Sequence, residues 1–301
     1  MSISKRYLFL FLLLIVFSLT ACSGGNGAVA ILPSPSAPAP TETLPPPTET
    51  PLPLAALVNG EPIFLSDFQA ELERYKVAQT ALGNQLDERE ARRVVLDDLI
   101  AQTLLAQGAA EAGFVLEEAT LQARIQTLSS QIGGPEALRA WMQTHGYTEE
   151  SFRVALRRAI AAAWMRDKII STVPQTARQV HIRQILLYNE TVAQNYYRQL
   201  QAGADFDELA IRVDPITRGD IGWFPRNYLP SKEVEEAAFN LEIGGVSEII
   251  QSEAGFHILK LLEVQEDRPL SPDALLTLQN RALADWLAQR RQQSNIEIRL
   301  E

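Results

Sequence analysis

Gly219-Asp-Ile-Gly-Trp-Phe-Pro-Arg226, followed by Glu235-Glu-Ala-Ala-Phe239-Asn-Leu, Gly244-Gly-Val-Ser-Glu248 and Ala254-Gly-Phe-His257-Ile-Leu-Lys260, decides the fold of this 301-residue chain. Around these blocks, from Val180 on, strand-like alternation and helix-like periodicity succeed one another. They predict pieces at 178–187, 191–202, 206–212, 220–223, 232–241, 248–251 and 256–263. Such a succession describes a compact α+β domain. A composition change at Val173-Pro174 marks where it begins.

Outward from that region the pattern is helical. On the C-terminal side a helix at 272–292 carries Leu275, Leu278, Leu283, Trp286 and Leu287, and a strand Ile296-Glu-Ile-Arg-Leu300 closes the chain. That helix must bury its apolar face, and a self-contained α+β domain leaves the N-terminal helices as its partner. On the N-terminal side, Asn59-Gly60 between two apolar runs predicts a hairpin, because both turn positions need positive φ. Ser66 is expected to cap a helix bearing Phe68, Leu72 and Tyr75. Further helices are expected at 88–112, 117–131 and 135–144, ending at Gly113, Gly133 and Gly146, and at 149–170, capped by Thr148.

Residues 23–53 hold nine of the seventeen prolines among Ser, Thr, Ala and Gly. They read as a disordered tether reaching on the order of 90 Å at ~3.1 Å per residue. Before it, Lys5-Arg6, the apolar run from Tyr7 and the small residues ahead of Cys22 have the order of a secretory signal, and that run is shorter than the ~20 residues a membrane span requires. Cys22 is the only cysteine, which excludes an intramolecular disulfide. Removing the signal lowers the net charge from −10 to −12, so nucleic acid is not an expected partner.

In order and spacing, the four blocks resemble the parvulin (PpiC, rotamase) family of peptidyl-prolyl isomerases. The flanks, Val58-Asn-Gly-Glu-Pro-Ile63 entering helices and Trp286 on the closing helix, resemble exported foldases of the SurA and PrsA kind, over about residues 55–300. Leu19-Thr-Ala-Cys22 resembles a bacterial lipobox, which implies a lipid on Cys22 and an address outside the cytoplasm, at the cell surface or in the periplasm. The implied plan is α+β: a signal peptide at 1–21, a tether at 22–54, a helical chaperone domain at 55–174 plus 266–301, and a parvulin domain at 175–265 with an antiparallel sheet. Unfolded exported polypeptides are the implied partners, together with the membrane through the lipid; no cofactor or metal is implied.

The chemistry of such a domain follows from the peptide bond. Rotation about X-Pro meets a barrier of roughly 18–20 kcal/mol from amide resonance. A catalyst needs an apolar pocket for the pyrrolidine ring and groups that favour the twisted amide, with no covalent step. The resemblance places Ile221, Leu229 and Val234 in that pocket, Val234 standing where the family has phenylalanine. Phe224 and Phe239 match positions that shape its wall and core, and the helical spacing at Phe239 reads as core packing. For the polar centre it implies Asp214, Gln184, Ser252 and His257. Asp214 matches the acidic residue near the reacting amide or, read locally, serves the Asp214-Pro215 turn. Gln184 occupies the position of a family histidine; its amide both donates and accepts but does not titrate. His181, an odd number of residues away on the same strand, points to the other face and reads as a surface histidine.

Two functions follow: an isomerase acting on exported chains, or a holdase whose parvulin domain is weak or inactive. A structural surface lipoprotein is supported by the tether alone. Hydrolase chemistry lacks its residues, since there are three histidines and neither Gly-x-Ser-x-Gly nor His-Glu-x-x-His. The pairs Asp97-Asp98 and Glu117-Glu118 read as solvated helix faces or ends.

Overall fold

The computed structural model describes residues 52–300; the signal, Cys22 and residues 23–51 of the expected tether lie outside the described residues. Two compact units divide the chain, the smaller built on Glu118–Phe152, the larger on Leu54–Glu117 with Arg153–Glu301.

The larger unit begins with a hairpin, β1 (Leu54–Val58) and β2 (Glu61–Phe64), whose turn places Asn59 and Gly60 at φ 53° and 84°. β2 runs straight into α1 (Leu65–Ala81), capped at Phe64 without a side-chain hydrogen bond. Ser66, expected as the cap, is the second residue of the helix: the hairpin already sets the direction of the chain, so no side-chain oxygen is required there. α2 (Glu88–Glu111) is capped by Asp87, which accepts from Glu90 N at 2.8 Å. Phe68 and Leu72 of α1 and Val95, Leu99, Ile100 and Leu104 of α2 pack against Ala56, Val58 and Ile63 of the hairpin.

The smaller unit holds α3 (Glu118–Gln131), α4 (Pro135–Thr144) and the start of α5 (Glu149–Ile170). Within it Trp141, Tyr147 and Phe152 form an aromatic cluster, Trp141 and Phe152 meeting edge to face at 6.2 Å. Thr148 caps α5 by accepting from Ser151 N at 3.1 Å.

From Thr176 the larger unit continues as β3 (Thr176–Leu187), α6 (Glu190–Gln201), α7 (Phe206–Val213), β4 (Asp220–Pro225), α8 (Lys232–Asn240), β5 (Ile250–Ser252) and β6 (Gly255–Pro269). The strands form an antiparallel sheet in the order β4-β3-β6-β5. β6 runs six residues beyond the expected end, because it stays paired with β3 out to Thr176 and Pro269. Gln265, Glu266 and Asp267 on that extension hide the alternation that marks a half-buried strand. One sheet face buries Val180, Ile182, Leu259 and Leu261 under α8, with Phe224 and Phe239 edge to face at 6.0 Å. The opposite face buries Ile185, Leu187 and Ile258 under α6 and α7.

α9 (Pro272–Gln292) is capped by Ser271, carries Arg290 and Arg291 in its last turn, and packs Leu283 and Trp286 against Leu105 and Ala109 of α2 and Met165 of α5. β7 (Ile296–Ile298) then pairs with β1, so the order of the small sheet is β2-β1-β7. Asp97 is thereby more than a solvated helix position, since it holds Arg291 of α9 at 3.1 Å. Asp98 reaches solvent, yet desolvation by its neighbours, then Asp97 and Glu71, push its carboxyl up to about 6.

Candidate functional site

β3 decides what the site contains. Register shifts fall between Ile182 and Arg183 against β4, and between Ala177 and Gln179 and between His181 and Ile182 against β6; around the site the extra residues, Ile221 and Leu262, lie on the partner strands, so β3 itself keeps its alternation there. Val180, Ile182 and Gln184 therefore share one face, and His181, Arg183 and Ile185 the other. By the same count His257 on β6 lies on the face of Leu259 and Leu261.

Gln184 and His257 meet on that face. His257 is 6% exposed, with Nδ1 3.0 Å from Gln184 Oε1 and Nε2 2.7 Å from Ser252 Oγ. Ser252 Oγ also accepts from Ala254 N at 3.0 Å, which fixes it at the tight β5–β6 turn. One protonation pattern satisfies every member: Nδ1–H donates to the glutamine oxygen, and Nε2 accepts from the serine hydroxyl. Burial lowers the His257 pKa, so the ring is held neutral.

The apolar half adjoins the polar half along the same strands. Ile221 and Leu229 are half-buried and packed against the cluster formed by Ile182, Val234 and Leu259. Val234 is 3% exposed, Phe239 5%, and Phe224 wholly buried. Phe224 and Phe239 thus form the floor under the patch, and Arg226 covers the Phe239 ring at 4.3 Å. Ile221 and Leu229 reach the surface of this cluster, and Val234 is buried within it.

Asp214 bonds within its own turn. It closes α7, and its carboxylate accepts from Ile216 N at 3.0 Å, from Thr217 N at 3.1 Å and from the Thr217 hydroxyl. The Thr217 hydroxyl foremost, then these amides, hold its pKa below the ordinary carboxylate value. Its link to the site runs through the turn: Gly219 N donates to Thr217 Oγ1 at 3.2 Å, and Gly219 O accepts from Gln184 N at 2.8 Å. Gly219 has φ +72°, and a Cβ there would lie 2.1 Å from Gln184 O.

His181 is not the loose surface residue its position suggests. Its side chain is 18% exposed; Nε2 lies 2.8 Å from Asp220 Oδ1, and the ring tilts against Trp223 at 5.4 Å. Burial alone would raise the Asp220 pKa, but the hydrogen bonds to His181 and Gly222 N outweigh it and lower the value.

Sequence reasoning passed over Glu235. It is 6% exposed, and its carboxylate accepts from Asn227 N at 2.7 Å, Tyr228 N at 2.9 Å and Leu229 N at 3.1 Å. The signal was present: Glu235, Ala238 and Phe239 recur at helical spacing, which puts a carboxylate on the buried face of α8.

A family model described as a SurA-like N-terminal domain matches residues 6–166, and one described as a PPIC-type PPIASE domain matches residues 188–263. The protein named Chaperone SurA in Alcanivorax borkumensis is 26% identical over 250 residues, covering 70% of this chain and 56% of that one. Foldase protein PrsA of Halalkalibacterium halodurans is 29% identical over 212 residues, covering 63% and 62%. This chain therefore spans less than two thirds of the length of either relative. Among solved structures, the peptidylprolyl isomerase PrsA from Bacillus cereus aligns over 78% of this chain and 84% of that one, at 21% identity and a TM-score of 0.43. Since the first model alone matches more than half of its residues, the chain belongs to the SurA-like N-terminal domain family, and it carries a PPIC-type prolyl isomerase domain after it.

Proposed function

We propose that this protein is an extracytoplasmic foldase that isomerises X-Pro bonds in exported chains and binds those chains while they are unfolded. The observation that carries the proposal is the closed Gln184–His257–Ser252 network beside the apolar patch of Ile221, Leu229 and Val234. The patch suits a pyrrolidine ring. The neutral polar trio, in which both ring nitrogens of His257 are bonded, presents no ion that would favour the planar, polar amide. Asp214 acts through the turn that seats Gln184. The domain division at 55–174 plus 266–301 and 175–265, and the lipid on Cys22, belong to the same proposal. Loss of palmitate labelling in Cys22→Ser would support the anchor, and unchanged labelling would refute it.

Activity is expected to be modest. The Gln184 position lacks a titrating ring, and with Phe224 and Phe239 buried the patch offers little aromatic area. A protease-coupled assay with a cis-proline peptide on the whole chain tests this. His257→Ala should lower the rate about tenfold, the worth of the hydrogen bonds it removes, and Gln184→His should raise it. No acceleration by the wild type or by Gln184→His would leave the second reading, a holdase whose parvulin domain only binds. That reading predicts suppression of client aggregation with no isomerisation.

A further inference from the structure

Asn227, at φ +67°, turns the chain so that three successive N–H groups, those of Asn227, Tyr228 and Leu229, converge on one point. Such a concavity binds an anion. Here it is filled from within, by a carboxylate delivered from the first turns of α8: Glu235 Oε1 takes the Asn227 N–H, and Oε2 takes the other two. The same turn carries Leu229 to the apolar patch, and the neighbour of Glu235 on α8, Val234, forms the base of that patch. One residue therefore fixes the distance between rim and base.

We infer that Glu235 is a positioning residue for the proline pocket: its carboxylate sets how far Leu229 stands from Val234 and hence how tightly the ring is held. The inference rests on the isomerase reading for its substrate class, but its mechanism concerns binding. Glutamine cannot replace it, because an amide NH2 would face an N–H where a carboxylate oxygen now accepts. Losing one charge-assisted bond of this kind should cost the bound state about tenfold in affinity.

The test uses the whole chain and a blocked Ala-Pro-Phe peptide, followed by methyl NMR at Leu229 and Ile221. Glu235→Gln should weaken peptide binding about tenfold and raise KM alike, while kcat changes less than about twofold. Amide exchange at 227–229 should quicken, while β3 and β6 stay protected. Unchanged affinity, unchanged exchange at 227–229, or loss of protection throughout the sheet would each overturn the inference, the last by making Glu235 merely structural. Absence of peptide binding at Leu229 in the wild type would overturn it too. Wild-type binding without isomerisation would sink only the isomerase reading, and the affinity ratio would still decide the inference.

Discussion

His257 couples the chemistry of the site to the stability of the sheet that carries it. Its folded-state pKa lies below the ordinary histidine value because burial disfavours the imidazolium. Between that lowered value and the unfolded value of about 6.5, the unfolded chain binds more protons than the folded one, so stability rises with pH across the window and is lost as pH falls through it. The urea midpoint of the wild type should therefore fall relative to that of His257→Gln as pH is lowered from about 6.5, a difference from which Asp98, raised to about 6 and acting with the opposite sign in both proteins, cancels. Parallel profiles for the two proteins would show that the ring titrates freely. The other half of the pair is inert to pH, since Gln184 carries no titrating group.

At the scale of elements, legibility tracked the presence of local signals. The helices at 135–144, 149–170 and 272–292 match their expected bounds, because Gly134-Pro135, Thr148 and Ser271-Pro272 mark their starts in the sequence itself. The start of α1 and the extension of β6 were misjudged where tertiary context replaced a cap or covered an alternation. The Gln184–His257 bond joins residues 73 apart, and its register was readable only by aligning motifs. Nothing local announced that Gly108, inside α2, is a packing device. A Cβ on Gly108 would lie 2.7 Å from Trp286 Cζ2 of α9. A helix-interior Gly→Ala ordinarily stabilises by about 1 kcal/mol. Here the gain should be reversed, with Gly108→Ala destabilising by about 1–3 kcal/mol through overpacking. A thermal melt reports the sign, and Trp286 emission reports whether the ring has moved. A stabilised variant with unchanged emission would mean that α9 yields freely.

Within the larger unit, β7 closes the sheet that β1 begins. β7 lies against β1, Asn59 N donates to Asn295 O at 2.8 Å, and Arg299 N donates to Ala55 O at 2.9 Å, so the last residues complete a sheet begun by the first described ones. Between them β3 leaves and β6 returns side by side: Thr176 pairs with Pro269, and Leu270 N donates to Gln175 O at 2.9 Å. A segment whose two ends are adjacent antiparallel partners needs only a short turn to replace it. Substituting residues 176–269 by a four-residue Gly/Ser turn should therefore leave the remaining helices and the β2-β1-β7 sheet folded, with a cooperative melt and full helical circular dichroism. If client binding resides in the helices, as the foldase reading holds, the excised protein should still suppress aggregation of an unfolded client while losing isomerisation entirely. Deleting residues 293–301 instead removes β7 and bares the edge of β1, and should cost cooperativity although far fewer residues are lost. An excised chain that melts without cooperativity, beside a C-terminal truncation that melts like the wild type, would show that the sheet core spanning 176–269, and not the joined ends, holds the larger unit together.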